Sequence, residues 1–157
     1  MRLRWLGLAF ALAAGVLAVQ ACGGASASPA PDGPVLTYTI GNGARGDVGP
    51  DGRRHDTFKA TSPTQVPAGS TVTVRVTNYD LIPHSFSSDD LKFQQMIRAS
   101  KDGSGMVTTF SFKVGGPGTY RWYCMLPCDP ENQDWAMGNG GHGMGQDGFM
   151  AGYITVA

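Results

Sequence analysis

Strict alternation of apolar and polar residues is the feature that most constrains how this chain can fold. Over 71–77, three valines alternate with threonine and arginine, which is the two-residue period of a half-buried β-strand. The same period recurs over 108–114 and 119–124, and turns rich in glycine and proline separate these segments. Several short strands divided by such turns are typical of a sandwich or barrel. The sequence therefore predicts an all-β domain.

Other segments fit the same architecture with weaker patterns. A first strand is predicted at 35–40 and a closing strand at 152–156. The segment 41–65 is rich in glycine, proline and charge, and predicts a loop with room for one short strand. A short helix is expected within 91–100. Together with the strands above, these segments predict one folded domain over 35–157.

The first 21 residues have the pattern of an export signal. Arg2 and Arg4 are followed by an apolar stretch over 6–19, and a small residue precedes Cys22. The tetrapeptide ending in Cys22 resembles a bacterial lipobox, which implies cleavage after 1–21 and lipidation of Cys22. An ordinary signal peptide and an uncleaved anchor are the alternatives, although the apolar run is short for a full span.

The segment that follows Cys22 has the composition of a flexible tether. Residues 22–34 contain small residues and proline and no large apolar side chain. We therefore expect an exported protein that is anchored on the outer face of the cell membrane, or is otherwise periplasmic or secreted. The 12 basic and 12 acidic residues balance. Without a basic patch, nucleic acid is not an expected partner.

A long segment near the C-terminus concentrates residues that bind soft metals. Between Cys124 and Met150 the chain shows little strand or helix pattern, and a loop of this length in a compact domain is usually functional or disordered. The donors that it carries or borders are Cys124, Met125, Cys128, Met137, His142, Met144 and Met150. Thiolate, thioether and imidazole suit copper. A zinc site that includes His84 and a disulfide between Cys124 and Cys128 remain alternatives.

Four stretches resemble the cupredoxin superfamily in order and in their junctions with metal-binding residues. They are VPAG at 66–69, IPHSF at 82–86, GPGTYRWYC at 116–124 and MAGYITV at 150–156. The resemblance implies a Greek-key β-sandwich or barrel with copper at one end. It also implies that His84, Cys124 and Met150 are ligands, with His142 as the histidine between the last two. Such a His, His, Cys set with a distant Met is the type 1 copper arrangement.

Cys128 departs from a mononuclear site and resembles a second member of the superfamily. A Cys-x3-Cys pair is the pattern of the CuA centre of cytochrome c oxidase subunit II, in which two thiolates bridge two coppers. Leu126 would then supply the backbone carbonyl ligand. The insertion 129–141 is unlike either family, and Met144 beside His142 is a possible additional ligand. The sequence thus leaves two possibilities open: one type 1 copper, or two coppers in a CuA-like centre.

The resemblance implies an electron carrier rather than an enzyme, with a respiratory redox protein or an oxidase as partner. A Cu(I) chaperone or copper sink is the alternative, because the segment between Cys124 and Met150 is rich in methionine, histidine and glycine. A role like that of oxidase subunit II within a larger enzyme is possible, and small-molecule catalysis at an open copper position ranks last. Among the remaining donors, His55 is expected to be a solvated loop residue, and Met96 and Met106 to be packing residues.

Overall fold

The computed structural model describes residues 32–138 and 144–157. The predicted signal 1–21, the lipid anchor Cys22 and most of the tether 22–34 lie outside the described residues, and so does the predicted ligand His142. The strands are β1 (Val35–Gly41), β2 (Asp47–Val48), β3 (Arg54–His55), β4 (Thr57–Ala60), β5 (Gln65–Val66), β6 (Thr71–Asn78), β7 (His84–Ser88), β8 (Phe93–Ile97), β9 (Met106–Lys113), β10 (Gly118–Tyr123) and β11 (Ala151–Val156). In the described part of the chain, no helix is long and apolar enough to cross a membrane.

Two sheets carry most of these strands. One has the order β4-β1-β6-β9, in which β1 runs parallel to β6 and its other pairings are antiparallel. The other has the order β5-β11-β10-β7-β8, and β2 and β3 form a separate hairpin. A single apolar core contains residues of both sheets. The predicted all-β sandwich is therefore confirmed.

The alternation that predicts β6 is matched by its burial. Val72, Val74 and Val76 are wholly buried, and across the sheet they face Phe112, Phe110 and Thr108 of β9. Because successive residues of a strand point to opposite faces, the threonines and Arg75 between these valines lie on the outer face. This confirms both predicted strands, and the two phenylalanines of β9 pack against the core.

Aromatic rings fill the core between the sheets. Phe86 of β7 stacks on Trp122 of β10 with ring centroids 4.7 Å apart, and Tyr38 of β1 meets both rings edge-on. Phe58 packs against the same group. Such pairs contribute about 0.5–1.5 kcal/mol each beyond their buried area. They hold β7 and β10 in place, and these are the two strands that border the metal-binding residues.

Two predictions of secondary structure are wrong. The segment 91–100 contains the strand β8 rather than a short helix, because its residues pair with β7 along the whole length from His84 to Ser88 and Phe93 stacks on Phe112. Met96 on this strand is 45% exposed rather than packed. The segment 41–65 contains β2, β3, β4 and the start of β5 instead of at most one strand. β4 and β5 pair with distant strands that local sequence cannot reveal, whereas β2 and β3 pair with each other.

Candidate metal centre

Two strands of the second sheet bring the predicted ligands to one end of the sandwich. His84 is the first residue of β7, and Cys124 immediately follows β10. The strands pair through Ser87 and Tyr123, so the start of one lies beside the end of the other. The Ser85 N–H points at the Cys124 Sγ across 3.4 Å. The sheet thereby fixes two donors that are 40 residues apart in sequence.

Three donor atoms converge at this end. The Nδ1 of His84 lies 3.1 Å from the Sγ of Cys128 and 3.9 Å from the Sγ of Cys124. The two sulfur atoms are 3.3 Å apart, and both cysteines are free thiols. All three side chains are completely buried. The structure therefore brings together three of the predicted metal ligands, with no disulfide between the cysteines.

The predicted carbonyl ligand lies beside the same sulfur atoms. The backbone oxygen of Leu126 is 3.1 Å from the Sγ of Cys128 and 3.7 Å from the Sγ of Cys124. The Cys-x3-Cys spacing folds the chain back on itself here, so this oxygen turns toward the thiols. A fourth donor thus faces the site from the main chain.

The two predicted methionines differ in burial. Met150 is wholly buried, and its carbonyl oxygen accepts a hydrogen bond of 2.8 Å from the Cys124 N–H, which places its backbone directly beside Cys124. Met144 is 36% exposed, although the neighbouring Gly145 N–H donates to the Cys124 carbonyl oxygen across 3.1 Å. Met150 therefore lies in the protein interior with the thiols, whereas Met144 lies at the surface.

Asp80 orients the ring of His84. Its carboxylate accepts a hydrogen bond of 3.0 Å from Nε2, which leaves Nδ1 to face the cysteines. Asp80 is itself buried and held by the Asn42 side chain and the Leu81 N–H. A carboxylate on the far nitrogen fixes the tautomer of a metal-binding imidazole and raises its basicity. Sequence analysis missed Asp80, although it precedes His84 by four residues.

The buried charges favour a thiolate at this site. A hydrogen bond from Cys128, together with the nearby His84, lowers the pKa of Cys124 to about 4. Cys128 keeps its proton in this hydrogen bond, and the bond together with burial raises the pKa of Cys128. Burial alone would lower the pKa of His84, but Asp80 and the Cys124 thiolate raise it to about 9. Because the thiolate is the form that binds metals, the site is prepared for a cation.

Ser85 adds hydrogen-bond donors around the Cys124 sulfur. Besides its N–H, its hydroxyl lies 4.0 Å from that Sγ, and the same hydroxyl accepts a bond from the Met125 N–H. Hydrogen bonds to a ligating sulfur tune the potential of a metal centre. No sequence pattern marks Ser85 apart from its position after His84.

A second buried network lies behind Cys128. Its centre is His55, which is completely buried rather than solvated. The prediction for His55 is wrong because Asp129, 74 residues away, supplies a buried partner 2.6 Å from its Nδ1. No local pattern could reveal a pairing over this separation. Within the described residues, His55 is not part of the group of metal-binding donors.

The residues present fit copper. The donor atoms of His84, Cys124 and Cys128 all lie within 4.8 Å of one another, and a carbonyl oxygen and a buried thioether residue adjoin them. Soft sulfur ligands with an imidazole select copper, zinc or iron–sulfur clusters over hard cations. The buried set with two adjacent sulfurs can hold one ion or a sulfur-bridged pair.

Comparisons with known proteins place similar structures in one group. No protein-family model and no curated protein matches the chain. Among solved structures, a purple cupredoxin from Nitrosopumilus maritimus matches 77% of this chain and 98% of its own, at 22% identity and a TM-score of 0.39. The chain thus has matches among cupredoxins.

Two further matches cover most of both chains. The periplasmic domain of cytochrome oxidase subunit II from Bradyrhizobium japonicum matches 81% of this chain and 86% of its own, at 16% identity and a TM-score of 0.45. Auracyanin from Roseiflexus castenholzii matches 82% of this chain and 99% of its own, at 16% identity and a TM-score of 0.46.

Proposed function

We propose that this chain is a copper-binding electron-transfer protein of the cupredoxin superfamily, with a CuA-like centre in which Cys124 and Cys128 share two coppers. The observation that carries the proposal is the pair of buried sulfur atoms 3.3 Å apart, both beside the Nδ1 of His84. A mononuclear type 1 site needs one thiolate, whereas this site presents two. The Leu126 carbonyl adds a donor next to both sulfurs.

Each residue at the candidate metal centre has a defined part in this proposal. His84, Cys124 and Cys128 hold the metal, Leu126 and Met150 supply weaker donors, and His142 completes the set. Copper would supply a one-electron couple when it is bound. Asp80 holds the imidazole in one orientation, and complete burial of the three side chains excludes water. A rigid, dry site limits rearrangement when the charge at the centre changes.

Burial favours a carrier over a Cu(I) chaperone or copper sink. A protein that hands copper on needs ligands that exchange readily with a partner. The side chains of His84, Cys124 and Cys128 are instead fully buried. The sandwich and the segment between Cys124 and Met150, here called the ligand loop, enclose them. We therefore propose an electron carrier rather than an enzyme.

The N-terminal sequence supports a place at the membrane surface. We assign 1–21 as a lipoprotein signal, Cys22 as the lipid anchor, 22–34 as the tether and 35–157 as the copper domain. An anchored carrier on the extracytoplasmic face would exchange electrons with a respiratory redox protein or an oxidase. The support for this assignment is the basic, apolar and small-residue order before Cys22.

The proposal is tested by metal content and redox behaviour of the protein purified in detergent. The reduced apo-protein is titrated with copper, with zinc as a competitor, and the loaded form is then titrated with a reductant. We expect two coppers per chain and a reversible one-electron transition. Cys124→Ser is expected to abolish the coloured centre, because it removes the thiolate fixed by the sheet.

Asp90→Asn serves as the matched control, because Asp90 is exposed and its replacement leaves the ligands intact. It should load and titrate like the unmodified protein. Exclusive binding of zinc, or of colourless Cu(I) without a redox transition, would contradict the electron-transfer proposal. The first outcome would indicate a zinc site and the second a role in copper handling.

A further inference from the structure

The buried histidine behind the metal centre contacts both arms of the ligand loop. The ring of His55 bonds to Asp129, the residue after Cys128. It also meets edge-on the ring of Phe149, the residue before Met150, with centroids 5.8 Å apart. Trp135, from the middle of the loop, stacks on the His55 ring with ring centroids 3.9 Å apart. One side chain outside the loop thus contacts it at three points.

Asp129 is the main point of attachment. Its carboxylate faces the His55 Nδ1 at 2.6 Å and accepts bonds from the Ala136 N–H and the Asn132 side chain. Its own N–H donates to the carboxylate of Asp56 across 2.6 Å. These bonds close two 3₁₀ turns of the insertion, Pro130–Asn132 and Trp135–Met137, onto the residue that follows Cys128. The described part of the insertion, 129–138, is therefore folded around Asp129.

The backbone at Asp129 needs this support. Its φ of 66° lies in the left-handed region, where a residue with a side chain is disfavoured and persists only if its surroundings hold it. Gln133 and Asp134 have the same conformation a few residues later. The direction in which the chain leaves Cys128 therefore depends on the partners of Asp129.

On the side away from the ligand loop, the ring of His55 packs closely against the β2–β3 hairpin. Its Nε2 faces Asp51 at 2.9 Å, so both ring nitrogens donate to carboxylates. A Cβ atom at Gly49 would lie 2.7 Å from the ring carbon Cδ2, which shows how closely the backbone of the β2–β3 hairpin packs on it. The hairpin thus supports the ring, and the ring supports the loop.

We infer that His55 is the positioning residue of the ligand loop: through Asp129 and Phe149 it fixes the places of Cys128 and Met150 beside the sheet-anchored Cys124 and His84. The role of this position in copper binding rests on the proposed function. The positioning itself is a property of the apo-protein and can be tested without metal.

The test measures thiol reactivity in the reduced apo-protein, purified in detergent. The protein is exposed to an alkylating reagent, and fragment ions in the mass spectrum distinguish modification of Cys128 from that of Cys124. His55→Leu should raise the alkylation rate of Cys128 about tenfold, because a buried bond to a charged group is lost and the local opening becomes more frequent. Cys124, held by β10, should change by less than about twofold.

Two further variants make the test specific. Gly49→Ala keeps His55 but displaces its ring, and should change Cys128 in the same direction. Asp51→Asn removes only the negative charge on the exposed side of the ring and should leave both thiols near their original rates. If His55→Leu does not fold, as judged by circular dichroism, Gly49→Ala decides the question. An unchanged Cys128, or an equal rise at both cysteines, would overturn the inference.

Loading with copper separates positioning from general stability. In Gly49→Ala, we expect altered copper hyperfine structure in the EPR spectrum, with Asp51→Asn like the unmodified protein. If the unmodified protein binds no copper, the proposed function fails, but the thiol rates still decide the role of His55. If copper binds as proposed, and neither the Cys128 reactivity nor the hyperfine structure changes when His55 is replaced or displaced, only the positioning inference fails.

Discussion

Asp80 is the residue whose replacement should change the copper centre without removing a ligand. The variant Asp80→Asn replaces the charged acceptor of the His84 Nε2–H with a neutral one, which makes the imidazole a poorer donor. We expect copper affinity to fall about 10–100-fold and the reduction potential to rise. Chelator competition and a redox titration measure the two quantities. A variant with unchanged affinity and potential would exclude Asp80 from this role, and Asp90→Asn is the control of equal charge.

Asp56 should make the stability of the apo-protein depend on pH. Burial raises its pKa from 3.8 to about 6, since the hydrogen bond from Asp129 N–H offsets only part of the cost. The folded protein therefore holds this proton more tightly than the unfolded chain. The resulting stability is fully present below about pH 3.8 and is lost as the pH rises through about 6. The neighbouring charges of Asp80, Asp129 and His84 act on the same group.

Asp56→Asn should remove this contribution, because the amide keeps a neutral acceptor for the Asp129 N–H. Between about pH 4 and pH 7, the unmodified protein should lose about 1–2 kcal/mol relative to the variant. Urea unfolding of both apo-proteins at several pH values measures the difference. Parallel curves across this range would show that Asp56 does not titrate in the folded state as expected.

Residue-level prediction from the sequence is most informative where the chemistry is local. His84, Cys124 and Cys128 are unusual donors at strand junctions, and the structure brings all three together. Asp80 and His55 were missed for a physical reason. Their functions arise from a ring orientation and from a contact across 74 residues, and neither leaves a periodic or compositional trace.

At the scale of elements, the pairing of β10 with β11 should be sensitive to one glycine. Gly152 lies opposite Trp122, and a Cβ there would be 2.8 Å from the indole Cζ2. We expect Gly152→Ala to lower the free energy of unfolding by about 1–3 kcal/mol, because the rigid indole must move.

Gly115→Ala is the matched control for this prediction, because nothing lies within 4 Å of the added atom. Its effect should stay within about 0.5 kcal/mol. Denaturant unfolding of both variants measures the contrast. Equal effects of the two substitutions would mean that the core around Trp122 relaxes freely.

A strand can be predicted from the sequence when its own residues carry a clear alternating pattern. β6 alternates strictly and was predicted almost to its ends, as was β11. β8 was predicted as a helix because its five residues carry no clear two-residue period, and its conformation is decided by the pairing with β7. Of the short strands between 41 and 65, β4 and β5 likewise depend on partners elsewhere in the chain.

At the scale of the whole molecule, the lipid anchor is a prediction that mass spectrometry can test. The protein isolated from bacterial membranes should lack 1–21 and carry acyl chains on Cys22, since stable anchoring needs more than one chain. Cys22→Ser should lack that added mass. A full-length chain, or an unmodified N-terminus, would contradict the assignment and favour an uncleaved anchor or an ordinary signal peptide.

The architecture joins a stable sandwich to a ligand loop that is held from two sides. Strands β7 and β10 fix His84 and Cys124, and the network of His55 and Asp129 holds the chain after Cys128. In this arrangement the second sulfur, rather than the first, depends on the insertion. Under the proposed function, the number of coppers bound should therefore depend on the loop.

The most direct test of the central claim is the EPR spectrum of the copper-loaded protein with its oxidised centre, recorded beside that of Cys128→Ser. We predict hyperfine structure shared over two copper nuclei in the unmodified protein, and the pattern of a single nucleus once Cys128 is replaced. A single-nucleus spectrum that Cys128→Ser leaves unchanged would contradict a sulfur-bridged pair and assign one type 1 copper to Cys124.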